Sequence, residues 1–179
     1  MSLNLAKFGA LVGVPAMAIM MAFAAQGAND KQTVTPETIL ARLHSANIDE
    51  VALGQLAMKR GESMAVKKYG EDLVREHNSA DKKLLVLAKS KKVDLSTTSK
   101  GVSENIRTMK ENVAYQNLKT LSGKNFDDEF LKTIKDEHKK AIEIIESSEI
   151  KDSDVRKYAD RQLVALKDHL QRAESLAKD

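Results

Sequence analysis

TPETILARLHSANIDEVALGQLAMKRG, residues 35–61, reads as one long amphipathic helix and sets the pattern for most of the chain. Thr35 offers a capping hydroxyl, Pro36 fits the first helical position where no backbone N–H is needed, and Glu37 sets an acid against the positive end of the helix dipole. Ile39, Leu43, Ala46, Glu50, Leu53 and Ala57 then recur at steps of three and four, which stacks them on one face. Gly61 supplies the stop. Glu50 is the odd member of that stripe, a carboxylate carried inward with the aliphatics.

The same periodicity continues on the C-terminal side. Ser63 can cap a second helix whose stripe is Val66, Tyr69, Leu73, His77, Ala80, Leu84 and Leu87, ending at Lys89, Lys91 and Lys92, where basic side chains oppose the negative end of the dipole. Asp94 to Gly101 is polar and reads as a loop. A shorter amphipathic piece runs from about Ser103 to Leu121, with Ile106, Met109, Val113 and Leu121 on one side, and Ser122-Gly123 closes it. Asn125 is the expected cap of the next helix, with Asp127, Asp128 and Glu129 in its first turn and Phe130, Ile134, His138, Ala141 and Ile145 as its stripe. Asp152 or Ser153 opens the last, along Val155, Ala159, Leu163, Leu166, Leu170, Ala173 and Ala177, with His169 beside that line.

Four long helices and one short connector predict an all-α domain over residues 36–178: a four-helix bundle with a crossover helix, the arrangement of ferritin-like folds. A plain up-and-down bundle of five helices is the alternative. In the crossover arrangement the second and third long helices run parallel. Counting about 1.5 Å of rise per residue then sets His77 and His138 within a few ångströms in height. On the same count Glu50 and His169 lie nearer the Gly61 end by roughly 5 to 13 Å.

Before the domain, Met1 to Lys7 is short and basic, Phe8 to Ala25 is apolar and uncharged, and Ala22-Phe23-Ala24 has the small-x-small pattern of a signal-peptidase site. Residues 1–24 therefore read as an N-terminal signal peptide and 25–35 as a linker, with export to the periplasm. The competing reading is an uncleaved anchor, since about 18 apolar residues can just span a bilayer. The chain has no cysteine, so lipid attachment through a cysteine and disulfides are both excluded, and the core alone must hold the fold.

Lys and Arg number 29 and Asp and Glu 26. This balance, with charges interleaved along helix faces and few aromatics for base stacking, excludes a nucleic-acid partner. Membrane contact is expected only through the N-terminal segment if it is retained. A homo-oligomer and an unidentified protein partner both remain open. There is no nucleophile elbow, no phosphate-cradling glycine loop and no cysteine nucleophile, so nothing in the chain marks it as an enzyme of those classes.

The chemistry lies in three acid-histidine pairs, Glu76-His77, Glu137-His138 and Asp168-His169, each in a different helical segment. The histidines fall on or beside the apolar stripes. Their acidic neighbours, turned about 100° away, are expected at helix flanks. His44 lies off its stripe and reads as peripheral. Glu50, His77, His138 and His169 are thus the candidate metal ligands, since imidazole and carboxylate are the usual nitrogen and oxygen donors for one transition-metal ion such as zinc, copper, manganese or iron. A di-iron centre is disfavoured, because the Glu-x-x-His spacing is missing: Val74, Lys135 and Leu166 stand three residues before the histidines. The competing reading makes the same residues a buried polar network, with Glu50 keeping a histidine satisfied.

Glu50-Val51-Ala52-Leu53-Gly54, Val66-Lys67-Lys68-Tyr69 leading to Glu76-His77, and Phe126-Asp127-Asp128-Glu129-Phe130 leading to Glu137-His138 resemble DUF4142, a family of exported bacterial proteins. Asp168-His169-Leu170 with Ala173-Glu174 looks like its closing motif, so the resemblance runs from about Thr38 to Leu176 and includes all three histidine positions. It implies a ferritin-like fold and export. The family is a domain of unknown function, so it implies no activity. Two functions follow as expectations: a metal-binding or proton-linked site in the bundle core, or an envelope interaction protein whose histidines are structural.

Overall fold

The computed structural model describes residues 31–95 and 113–178. The apolar leader, most of the polar loop and the first half of the expected crossover piece lie outside the described residues. The described chain is mostly helical: β1 (Gln32–Val34), α1 (Pro36–Arg60), α2 (Met64–Ser90), α3 (Val113–Thr120), α4 (Gly123–Ser147), β2 (Ser148–Ile150) and α5 (Ser153–Leu176). Among the described residues, no helix is long and apolar enough to cross a membrane.

The helix ends follow the expected chemistry in most places. Thr35 Oγ1 accepts from the Thr38 amide at 3.1 Å, Ser63 Oγ from Val66 at 3.0 Å, and Asp152 from Asp154 and Val155 at 3.0 and 3.1 Å. Each removes orphan donors of a first turn. The start of α4 departs from expectation. It begins at Gly123, whose φ of 63° lies in the left-handed region open to glycine, so Asn125 is already inside the helix and is not its cap. Asp127 does not serve its own helix either; its two oxygens accept from the Glu62 and Ser63 amides, both at 2.9 Å, and so cap α2.

Those bonds, with Arg60 donating to the Leu121 carbonyl at 3.0 Å, gather the end of α1 and the starts of α2 and α4 at one pole of the domain. At the opposite pole Lys91, just past α2, pairs with Asp152 and Asp154 at the start of α5 at 2.9 and 2.6 Å. There too β1 and β2 pair in parallel, Gln32 with Ser148, Thr33 with Glu149 and Val34 with Ile150. Helices α2 and α4 therefore run in the same direction, and α1 and α5 run opposite to them. The ladder falls partly in the stretch read as a linker. Three-residue strands 116 positions apart are too short to show the alternation by which a strand is recognised.

The core is split along its length. Toward the Gly61 pole Leu53, Tyr69, Leu73, Phe126, Phe130 and Ile134 pack together; toward the other, Ile39, Leu40, Leu84, Ile145, Val155 and Tyr158 do. Between them lies a layer of buried polar side chains, Asn47, Glu50, His77, His138 and His169. Helices α1 and α2 come into close backbone contact at Gly54 and Gly70. A Cβ on Gly54 would stand 2.6 Å from the Gly70 carbonyl oxygen, and one on Gly70 would stand 2.7 Å from that of Gly54.

Replacing Gly70 with Ala in an open helix would gain about 1 kcal/mol from propensity. Here the methyl must push two backbones apart, and Gly70→Ala should instead destabilise by about 1–3 kcal/mol. A lowered urea midpoint is the expected result, and an unchanged or higher one would contradict the close contact.

Candidate metal centre

All four long helices contribute to the middle layer, Asn47 and Glu50 from α1, His77 from α2, His138 from α4 and His169 from α5. All five are buried, His138 completely. The imidazole centroids are 5.9 Å apart for His77 and His138, 5.2 Å for His77 and His169, and 5.3 Å for His138 and His169. Glu50 Oε1 lies 3.2 Å from His138 Nδ1. Ring centroids this close exclude the upper part of the offset expected for His169.

The ring nitrogens can be assigned from their partners, since an oxygen with no proton must accept. His77 Nδ1 donates to Asn47 Oδ1 at 3.0 Å. His138 Nδ1 donates to the Ile134 carbonyl at 2.9 Å, with Glu50 behind the same nitrogen. His169 Nε2 donates to the Glu76 carboxylate at 2.7 Å. In neutral imidazoles this leaves lone pairs on His77 Nε2, His138 Nε2 and His169 Nδ1. His169 Nδ1 and His138 Nε2 are 3.2 Å apart, and His77 Nε2 is buried with no hydrogen-bond partner. Two lone pairs at that distance repel, so something positive must lie between them: a proton or a metal ion.

Among the described residues these three histidines form a group able to offer one donor each, all within 4.8 Å of one another, and so could hold a metal. The outer nitrogens are fixed by an amide oxygen, a backbone carbonyl and a carboxylate, the kind of partners that orient metal-ligating histidines.

The family model for "Domain of unknown function (DUF4142)" matches residues 21–176. The chain belongs to the DUF4142 family. No curated protein and no solved structure matches it.

In this DUF4142 protein the electrostatics of the layer favour a proton at the centre when no metal is bound. Burial opposes charge on His138, but the charge and hydrogen bond of Glu50 and the Ile134 carbonyl outweigh it, and its pKa rises above the ordinary value. Burial would also raise Glu50, yet His138, His77 and His169 pull it below the usual carboxylate range. Burial drives His77 down to about 4 and lowers His169 as well. The favoured state is a His138 imidazolium facing Glu50, with His77 and His169 neutral.

Several side chains around the layer depart from the sequence reading or were not singled out by it. His44 is buried rather than peripheral; its Nδ1 lies 2.6 Å from Asp81 Oδ1, because α1 packs along α2 over a face wider than its main stripe. Asp81 also accepts from Asn47, joining this pair to His77. Glu76, expected as a flank residue, reaches α5 to hold His169. Its pKa is pushed up by burial but pulled further down by His169 and Arg75. Asp168 is exposed and Glu137 half-buried at the flank of its helix. Asp49 went unnoticed. It has one buried oxygen without a partner, and burial, Glu137 and Glu50 push its pKa up to about 7. Asn47 could have been found from its place one turn before Glu50; Asp49 carries no such sign.

The neutral His77 should shape acid stability in the chelated protein. Its contribution is fully present above the unfolded value of 6.5 and is lost as pH falls through about 4. His138 has the opposite sign, contributing below 6.5 and losing that contribution as pH rises through its raised folded value. His77→Gln should therefore flatten the fall in urea-unfolding stability between pH 6.5 and 4, which in the parent protein is on the order of 3 kcal/mol from this residue. A variant as steep as the parent would show that His77 is not held neutral.

Proposed function

We propose that this protein is an exported, ferritin-like four-helix bundle that holds one transition-metal ion on His77 Nε2, His138 Nε2 and His169 Nδ1. The observation that carries this reading is the set of three inward lone pairs, one of them buried and unpartnered, with every outer nitrogen already committed. Nitrogen donors of this kind suit zinc, copper or iron, and manganese with carboxylate help. Glu50 is better placed as a counter-charge behind His138 than as a fourth ligand, because its nearest imidazole atom is the outer nitrogen. Export rests on the leader of residues 1–24, and the bundle reading on four long helices with α2 and α4 parallel.

The raised His138 and lowered Glu50 favour a second reading, in which a proton alone fills the centre and the protein acts as an envelope interaction module. Metal content separates the two. Elemental mass spectrometry on mature protein purified without chelator or affinity tag should find near one metal per chain. A His77→Ala/His138→Ala variant, shown by circular dichroism to remain helical, should lose it. Parent protein that is empty and also refuses added zinc, copper, manganese and iron would leave the proton-filled layer as the answer.

A further inference from the structure

Two cavities reach the histidine layer, and both are lined by His77, Gln162 and Leu166. The one beside α1 and α4, about 330 Å³, adds Asp49, Glu50 and Glu137 against Arg42 and Lys140, and Lys140 is already paired with Glu137 at 3.1 Å. Glu50 is spent on His138, which leaves Asp49 and Arg42, one acid and one base. The other, about 250 Å³ between α2 and α5, adds His169, Lys83, Arg161 and Ser79. Its one acid, Glu76, is spent on His169 and Arg75. Among the described residues Lys83 and Arg161 make no ion pair, and Gln162 and Ser79 make no hydrogen bond. This cavity therefore combines two free cations, unused polar side chains and two of the three inward imidazoles.

We infer that the α2–α5 cavity is a binding site for a small anion, which enters past Lys83 and Arg161 and completes the coordination of the ion held by the three histidines. The inference rests on the metal reading above and names the ligand class of that same site. Three protein donors leave a position open, as in metal sites that take up an outside ligand. At roughly 30 Å³ per water in the liquid, the cavity holds a few water-sized groups, which admits inorganic anions or a short carboxylate and excludes a nucleotide. The guanidinium of Arg161 and the ammonium of Lys83 give the cavity its attraction for anions, and Gln162 can donate from the seam between the two cavities.

The test uses full-length mature protein loaded with cobalt(II), whose visible spectrum reports the ligands around it, and azide as the probe anion. Metal content is measured separately on every sample. Azide should shift the parent spectrum saturably. A Lys83→Ala/Arg161→Ala variant should keep its cobalt but bind azide at least about tenfold more weakly, as expected for the loss of two unit charges from the cavity that holds the anion. Arg42→Ala, which removes a cation from the other cavity, should leave azide affinity unchanged. Equal azide affinity in the parent and the double variant, or a cobalt spectrum indifferent to azide, would overturn the anion site and leave the metal reading standing. A parent protein that retains no cobalt would overturn the metal reading, and this inference with it.

Discussion

The burial of Glu50 against His138 is the constraint on which the rest of the structure depends. A carboxylate taken out of water without a partner costs several kcal/mol. Here the cost is offset by an imidazole 3.2 Å away on another helix. That contact fixes α1 against α4 in height, and Glu76 on His169 does the same for α2 against α5. Asn47 on His77 ties α1 to α2, where Gly54 and Gly70 already bring the two backbones together. Apolar packing above and below the layer is tolerant of sliding, whereas directional bonds are not. The polar layer therefore sets the register of all four long helices.

Most of this was legible in the chain because helical burial is periodic. The stripes through Leu53, Leu73, Ile134 and Leu166 locate the buried faces, and Glu50, His77 and His138 stand on three of them. What local pattern cannot carry is the identity of the neighbour across the interface. Glu76 lies off its own stripe yet touches α5, and Asp127 caps a helix that begins 64 residues earlier in the chain at Ser63. His44 was misplaced because α1 buries two adjoining faces. The β1–β2 ladder is a long-range pairing of segments too short to alternate.

The central layer has the form of a site in which a proton and a metal compete. With the outer nitrogens engaged, the inner ones are free only for something electropositive, and the Glu50 charge stabilises whichever arrives. On the proposed metal reading, uptake displaces the proton of the His138 imidazolium, so affinity rises with pH until that group is neutral. Two cavities meet at His77, and the one between α2 and α5 carries the unpaired cations Lys83 and Arg161.

Nitrogen-15 NMR of the histidine rings, recorded on chelated protein and again during a zinc titration, tests the central claim most directly. The account predicts Nδ1–H on His77, Nε2–H on His169 and both protons on His138 before zinc. After one equivalent, His77 Nε2, His138 Nε2 and His169 Nδ1 should shift together to metal-bound values, with one proton released. The opposite tautomers, or ring nitrogens unchanged by zinc, would contradict it.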